Sequence, residues 1–500
     1  MSAESGNILG PFKNIWSVGD LRNRILYTIG MIFLIRLGVY VTLPGVDQNA
    51  LGAWIEKAQE DGGATSGALA MLNIFSGGGL QQCGIFALGI MPYISASIVM
   101  QLLNVIWPPF AKLSREEGGR QKINQYTRIL TLIIASVQAF FGAQLLQNAA
   151  GNPMFAGLEQ DLVLNPGWEF TVMTVMTIVV GTLLLMWIGD QMTEGGIGNG
   201  TSIIITVNII SAFPGALSLA WSQFIIDGEN GGALVLLLMV VFFLAVIAAV
   251  VALTEAQRRI AVSYAKRVVG RKQMGGQTQY LPLKINYAGV MPIIFASALM
   301  TLPVVIMGMI PGLDESTKQW WTSFFSFDSW FYYVFSAAMI FFFAFFWVAT
   351  MFQPKQIAED LKRNGGYIPG VRPGEPTAKF LDFTMTRLTF AGAIFLTIVF
   401  VLPALISSAI KVPMIVTQFL GGTSLLIMVG VLLDVMRQIE THLLSQQYDG
   451  FFKSGKGSKK PQRYAAQQQG GTKSASDSTV GVLLVVIGAL AVFALIVSFM

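Results

Sequence analysis

Residues 72–103 read LNIFSGGGLQQCGIFALGIMPYISASIVMQLL, and the two parts of this stretch behave differently. From residue 86 to 106 the chain is apolar and unbroken enough to cross a bilayer, which takes about 20 residues. The part before it, 70–85, is also apolar but holds Gly77, Gly78 and Gly79 in a row and is too broken to span alone. Consecutive glycines weaken a helix but allow close approach and easy displacement. Taken alone, this part is an irregular loop leading into a span.

The rest of the 500 residues has the same apolar character. Hydrophobic residues make up 54% of the chain and charged residues 12%, about half the share of a soluble protein, with a mean hydropathy of +0.62. No soluble fold buries that much apolar surface, so lipid must cover much of it. Further spans are predicted at 25–44, 129–148, 170–188, 202–219, 231–253, 286–310, 330–352, 388–408, 420–437 and 479–499. Two long polar segments, 254–285 and 353–387, interrupt them, and 449–478, rich in Gly, Ser, Lys and Gln, has a flexible linker's composition. Residues 1–23 are polar and no small-residue cleavage pattern follows the first apolar run, so that run is expected to be a retained span.

Lys and Arg in the loops set the orientation. With the N-terminus cytoplasmic, all but four of the 32 basic residues fall on the cytoplasmic side. The four are Lys57, Lys318 and Lys411 outside and Arg36 within span one. A mid-span arginine is costly unless paired or snorkelling, and a buried structural role is expected for it.

Catalytic chemistry is not visible in the sequence. One cysteine, Cys83, and one histidine, His442, cannot build a disulfide framework or a Cys/His zinc site, and no cofactor is expected. GFFKSGKG at 450–457 approaches a phosphate-binding loop but puts Gly457 where the magnesium-ligating hydroxyl belongs, in a linker instead of a strand-to-helix turn. GGIGNG at 195–200 lacks dinucleotide-binding spacing and suits a tight turn between spans four and five. A secondary transporter would need mid-membrane ion-coupling groups, and the spans offer only Asp434 and end-of-span acids such as Asp190. An intramembrane enzyme would need a nucleophile–base pair or a metal cluster, and neither is visible.

Six stretches in order carry a resemblance: 72–103, then MWIGDQMTEGGIGNGTSIII (186–205), EAQRRIAVSYAKR (255–267), LPLKINYAGVMPIIFASALM (281–300), GYIPGVRPGEPTAKFLD (366–382) and GGTSLLIMVGVLLD (421–434). From about residue 10 to 450 the chain resembles the SecY family of protein-export channels. The resemblance implies an all-α polytopic membrane protein with ten helices in two inverted five-helix halves. On that fold, 1–24 is a cytoplasmic N-terminus, 25–219 the first half, 220–230 an outer hinge loop and 231–448 the second half. Residues 479–500 depart from the pattern as an extra C-terminal transmembrane helix.

The family passes unfolded secretory polypeptides across the cytoplasmic membrane and releases transmembrane segments sideways into lipid, without catalysis of its own. Its apolar pore ring falls here on Ile90, Ile94, Thr201, Ile205, Ile294 and Ile427. Such a ring bars ions by dewetting. Thr201 stands where an isoleucine is expected, and its hydroxyl either weakens the seal or bonds to its own helix. The family's plug, a short re-entrant helix, falls on 72–84, including Asn73, Phe75, Ser76, Gly77, Gly78, Gly79 and Leu80. Its lateral gate falls on Ser95, Ser97 and Gln101 of span two and Pro292, Ser297 and Thr301 of span seven. Small, weakly polar residues suit a seam that parts, though ordinary close helix contact uses the same residues.

The two long loops carry Arg258, Arg259, Lys266, Arg267, Arg271, Lys355 and Arg372. Basic loops also serve topology and anionic lipid headgroups. The resemblance makes these loops the docking face for the ribosome and the SecA ATPase, which drive export, with Arg372 the most function-sensitive position. It further implies SecE and SecG subunits, secretory and membrane preproteins, membrane lipids, and contacts with SecDF and YidC.

Overall fold

A computed structural model describes residues 19–52, 76–79, 82–113, 116, 118–148, 162–221, 224, 232–264, 267–269, 272–274, 278–296, 299–300, 315–325, 329–410 and 423–454. Two compact units emerge, Met1–Gly228 with Val431–Met500, and Glu229–Gly430.

The first unit contains α1 (Gly19–Val39), α2 (Met91–Ile106), a short α3 (Pro108–Leu113), α4 (Gly119–Gln147), α5 (Trp168–Gly195), α6 (Gly200–Ser211) and α7 (Phe213–Trp221). Helix α4 lies against both α2 and α5. Its contact face is a stripe at intervals of four: Thr127, Thr131, Ala135, Ala139 and Ala143, all buried. Small side chains let backbones approach where hydrophobicity gives no drive between helices. The two threonines return their hydroxyls to the carbonyls of Ile123 and Thr127, so neither hydroxyl is stranded. The expected span 202–219 is divided, because the helix breaks at Ala212, two residues before Pro214.

After α1 the chain passes through 41–47, with a turn at Pro44 and Gly45 (φ 87°), and is held from both sides. Leu43 N donates to Cys83 O (2.8 Å) and Ile85 N to Val41 O (2.8 Å). On the other side Asp47 N donates to Leu162 O (2.9 Å) and Leu164 N to Gly45 O (3.2 Å). Leu43, Cys83, Ala135, Ala139, Leu162 and Phe170 belong to the core cluster beneath.

The second unit contains α8 (Gly232–Glu255), strands β1 (Gln257–Tyr264), β2 (Arg267–Val269), β3 (Lys272–Met274) and β4 (Thr278–Lys284), then a helical turn over 291–296. Helices α9 (Glu315–Phe324), α10 (Trp330–Met351) and α11 (Pro354–Arg363), strand β5 (Gly366–Tyr367) and α12 (Glu375–Ile410) follow. Helix α13 (Thr423–Ser454) crosses the division between the units. The polar segment 254–285 is therefore a sheet, a β element in a chain expected to be all helix. With β5 from the second polar segment added, its strand order is β4-β1-β5, and β2 pairs separately with β3. Its inner face buries Ile260, Val262 and Leu283, and alternate residues face out, the period-two pattern of a half-buried sheet. Helices α10 and α12 meet through aromatic rings, Tyr332 against Phe400 at 6.0 Å between centroids, while Phe295 sits 5.3 Å from both Phe343 and Trp347.

Among the described residues, five helices are long and apolar enough to cross a membrane: Gln121–Gln147, Trp168–Gly195, Leu234–Glu255, Trp330–Arg363 and Glu375–Leu402. Helices α12 and α13 extend well beyond their apolar stretches. The expected linker beyond 454 and the extra helix 479–500 lie outside the described residues.

Gly181 of α5 touches the Ile85 backbone so closely that a Cβ would fall on the Ile85 carbonyl oxygen. Gly181→Val should therefore destabilise the protein by about 1–3 kcal/mol, as overfilled cores do. Gly142→Val, at a glycine with open space around it, should change stability little. Thermal unfolding of the two variants in detergent checks the contrast.

Candidate functional site

The Gly-rich segment is seated deep in the first unit. Gly77 and Gly78 take φ of 67° and 91°, the left-handed region that favours glycine, so residues 77–79 form a turn in the described part of the expected plug helix. Ser76, Gly77 and Gly79 are buried, and Gly77 lies against the Asn208 side chain of α6. The turn is closed internally by Gln82 N to Gly78 O (3.0 Å) and Gly84 N to Gly79 O (2.8 Å). Arg36 of α1 donates from Nη1 to Gly77 O at 2.9 Å, which gives the mid-span arginine a partner. Asn73, Phe75 and Leu80 lie outside the described residues.

Four of the expected ring residues sit in the first unit. Ile90, 1% exposed, caps the N-terminus of α2, and Ile94 follows one turn on, its N–H on Ile90 O at 3.1 Å. Ile205 is buried in α6, and Thr201 is half-buried in the first turn of that helix. The Thr201 hydroxyl donates to Asn199 Oδ1 at 2.6 Å. Asn199 is the N-cap and also accepts from the N–H groups of Thr201 and Ser202. This polar group is therefore spent on the capping side chain, neither free nor bonded to the helix backbone. Ile294, 6% exposed, and Ile427, 1% exposed, belong to the second unit.

On α2, Gln101 Nε2 donates to Ser97 Oγ at 3.3 Å, one turn apart, and Ser95 is half-buried. Pro292 is buried in the turn 291–296. Ser297 and Thr301 lie outside the described residues, as do Lys266 and Arg271.

The GGIGNG turn docks within the first unit by backbone donors. Ile197 N donates to Thr28 Oγ1 (3.2 Å) and Gly198 N to Gln438 Oε1 (2.7 Å), while Ile197 and Leu21 pack beside Val435, Ile439 and Leu443. Sequence reading missed this seat, whose partners lie 169 and 240 residues away.

In the second unit Arg258 and Arg259 are exposed on β1, paired across to Leu283 and Pro282 of β4, and Arg267 lies in β2. Lys355 is exposed in the first turn of α11. Arg372 projects from a turn with left-handed glycines on both sides, Gly370 (φ 85°) and Gly374 (φ 101°). That turn is pinned by Val371 N to Ile368 O (3.0 Å) and by Thr377 Oγ1 to Arg372 O (2.8 Å). Two exposed tyrosines, Tyr280 and Tyr367, share the outer face of the sheet with Arg259, since both pair with same-face residues of β1. The period-two pattern of 278–284 would have signalled Tyr280.

A sequence model of SecY matches residues 84–436. The protein translocase subunit SecY of Escherichia coli K12 is 42% identical over 442 residues, covering 87% of this chain and 95% of that one. Among solved structures, a protein-conducting channel aligns with TM-score 0.53 at 16% identity over 85% of this chain and 92% of its own. A SecY structure described by its plug domain aligns with TM-score 0.51 at 17% identity, over 84% and 92%.

Burial pushes the Cys83 thiol, between the first two spans, up to about 12. At pH 8 it therefore stays a thiol and not the reactive thiolate. Maleimide should leave Cys83 unmodified in the folded protein and label it after denaturation. Native-state labelling at the rate of a free thiol would contradict the buried placement.

Proposed function

The chain belongs to the SecY family, and from that premise we propose that it forms the protein-conducting channel of a membrane translocase, energised by partners. The observation that carries this reading is the family match from residue 84 to 436, which runs through both units and takes in every proposed ring position. The family is one of channel subunits, so its work is conduction and not bond chemistry.

In this reading the two units correspond to the channel's two halves, within a ten-span fold whose N-terminus is cytoplasmic. Ile90, Ile94, Thr201, Ile205, Ile294 and Ile427 form the constriction. An ion entering such a collar loses its hydration shell with no replacement, whereas an extended polypeptide displaces the side chains and fills the gap. The Thr201 hydroxyl, already committed to Asn199, presents little unsatisfied polarity to the collar.

Segment 72–84 is the plug. Its left-handed glycines give it a compact turn, and glycine contacts carry no side-chain volume that would resist withdrawal. The seam for lateral release runs along Ser95, Ser97 and Gln101 on α2 and along Pro292, Ser297 and Thr301. Gln101 and Ser97 hydrogen-bond to each other, so parting this helix from a neighbour strands neither group.

The sheet, α11 and the Arg372 turn form the docking face for SecA and the ribosome. Ribosomal RNA is a polyanion, and phosphate neutralisation by Arg258, Arg259 and neighbouring cations suits it. SecE, SecG, SecDF and YidC are the expected membrane partners. Helix 479–500 packs on the channel's rim or occupies a surface otherwise left to a partner. A proton- or sodium-coupled carrier is disfavoured by the two candidate acids, because Asp190 is paired with Arg128 at 2.6 Å and Asp434 is exposed.

Replacing Ile90 and Ile427 by Ser or Gly should raise resting conductance in planar bilayers, and unchanged conductance would remove the collar. Arg372→Glu should abolish SecA-driven export into vesicles while the protein stays folded; normal export by that variant would refute its role.

A further inference from the structure

Arg36 lies in the middle of predicted span one, and among the described residues it has no carboxylate partner. It donates to a backbone carbonyl 41 residues away, Gly77 O, at 2.9 Å, and also interacts with the Tyr40 side chain one turn on. The same oxygen is approached at 3.5 Å by the Ser211 hydroxyl of α6, whose shorter bond, 2.7 Å, goes to Asn208 O. Gly77 is buried with a left-handed φ, and a Cβ there would collide with the Asn208 side chain. Three chain segments therefore converge on one peptide unit: α1 through its cation, α6 through its hydroxyl and amide, and the glycine turn through its carbonyl.

A charge-assisted hydrogen bond in apolar surroundings is stronger than a neutral one. The turn is also closed on itself, by Gln82 N to Gly78 O and Gly84 N to Gly79 O. These bonds move with the turn and do not tether it. The next tethers along the chain are at Cys83 and Ile85, bound to Leu43 and Val41. Arg36 thus binds this turn to α1, close to the 83–85 strand contacts that follow it in the chain.

We propose that Arg36 is the latch of this segment, a positioning residue whose guanidinium holds Gly77 and keeps residues 76–84 seated, so that its release and the segment's departure are one event. The proposal rests on reading 72–84 as the plug for its functional consequence, but the latch itself is a statement about local stability. Ser211 makes a secondary, weaker contribution because its hydroxyl is shared.

Amide hydrogen exchange of the full-length protein in lipid nanodiscs separates the two. In Arg36→Met, exchange over residues 76–84 should rise about tenfold to a hundredfold, the range expected for loss of one charge-assisted bond, while α5 (168–195) keeps its protection. Arg36→Lys keeps the cation and should restore most of the protection, and Ser211→Ala should give a smaller rise. An arginine needed only for general stability would loosen 76–84 and α5 together, and that result, or unchanged exchange over 76–84 in Arg36→Met, overturns the latch. If Arg36→Met does not fold, Arg36→Gln decides: faster exchange over 76–84 with α5 still protected supports the latch, and unchanged exchange there overturns it equally. Planar-bilayer conductance of the same variants tests the plug reading: faster exchange at 76–84 without added ion leak keeps the latch and sinks the plug.

Discussion

Backbone that is neither helix nor sheet can lie among apolar helices only if protein supplies a partner for each peptide N–H and C=O, because no water is there to do so. That constraint explains the architecture around residues 76–90. The irregular stretch 41–47 bonds to both 83–85 and 162–164. Arg36, Ser211 and the turn's own amides take up carbonyls that a helix would have satisfied internally. An arginine in a span, costly elsewhere, is stable here because a carbonyl needed a donor.

Close approach is the second requirement, and small residues meet it. The stripe Thr127–Thr131–Ala135–Ala139–Ala143 lets α4 lie against its neighbours. Gly181 lets the Ile85 backbone touch α5, and Gly38 leaves room for the Phe86 ring against α1. The irregular segment thus sits between helices whose glycines admit it, and that arrangement presents Ile90 at the start of α2. In the second unit the spacing is set differently, by rings such as Phe295, Phe343 and Trp347.

Outside the apolar helices the molecule follows soluble-protein rules. The sheet hides Ile260, Val262 and Leu283 on one face and shows Arg259, Tyr280 and Tyr367 on the other. The Arg372 turn follows a path that left-handed glycines allow, and it is pinned by Val371 N to Ile368 O and by the Thr377 hydroxyl. A cation held on a pinned turn loses little further freedom when it meets a partner.

Apolar runs of about 20 residues located α4, α5, α8 and α10 to within several residues, apart from α4's longer N-terminal extension, because a helix satisfies its own backbone and its position depends on local composition. The basic bias of the loops and the ordered motifs were likewise local, and they were enough to name the family. The sheet at 257–284 was not legible, since its charged, alternating strands become a structure only when paired in register. The same holds for Thr201 turned to Asn199, Gly198 bonded to Gln438, and Arg36 bonded to Gly77. Sequence alone determined which segments are apolar and what family they compose. Tertiary structure decided where each polar group inside them finds its partner, because those partners lie on other elements that only the fold brings within hydrogen-bond reach.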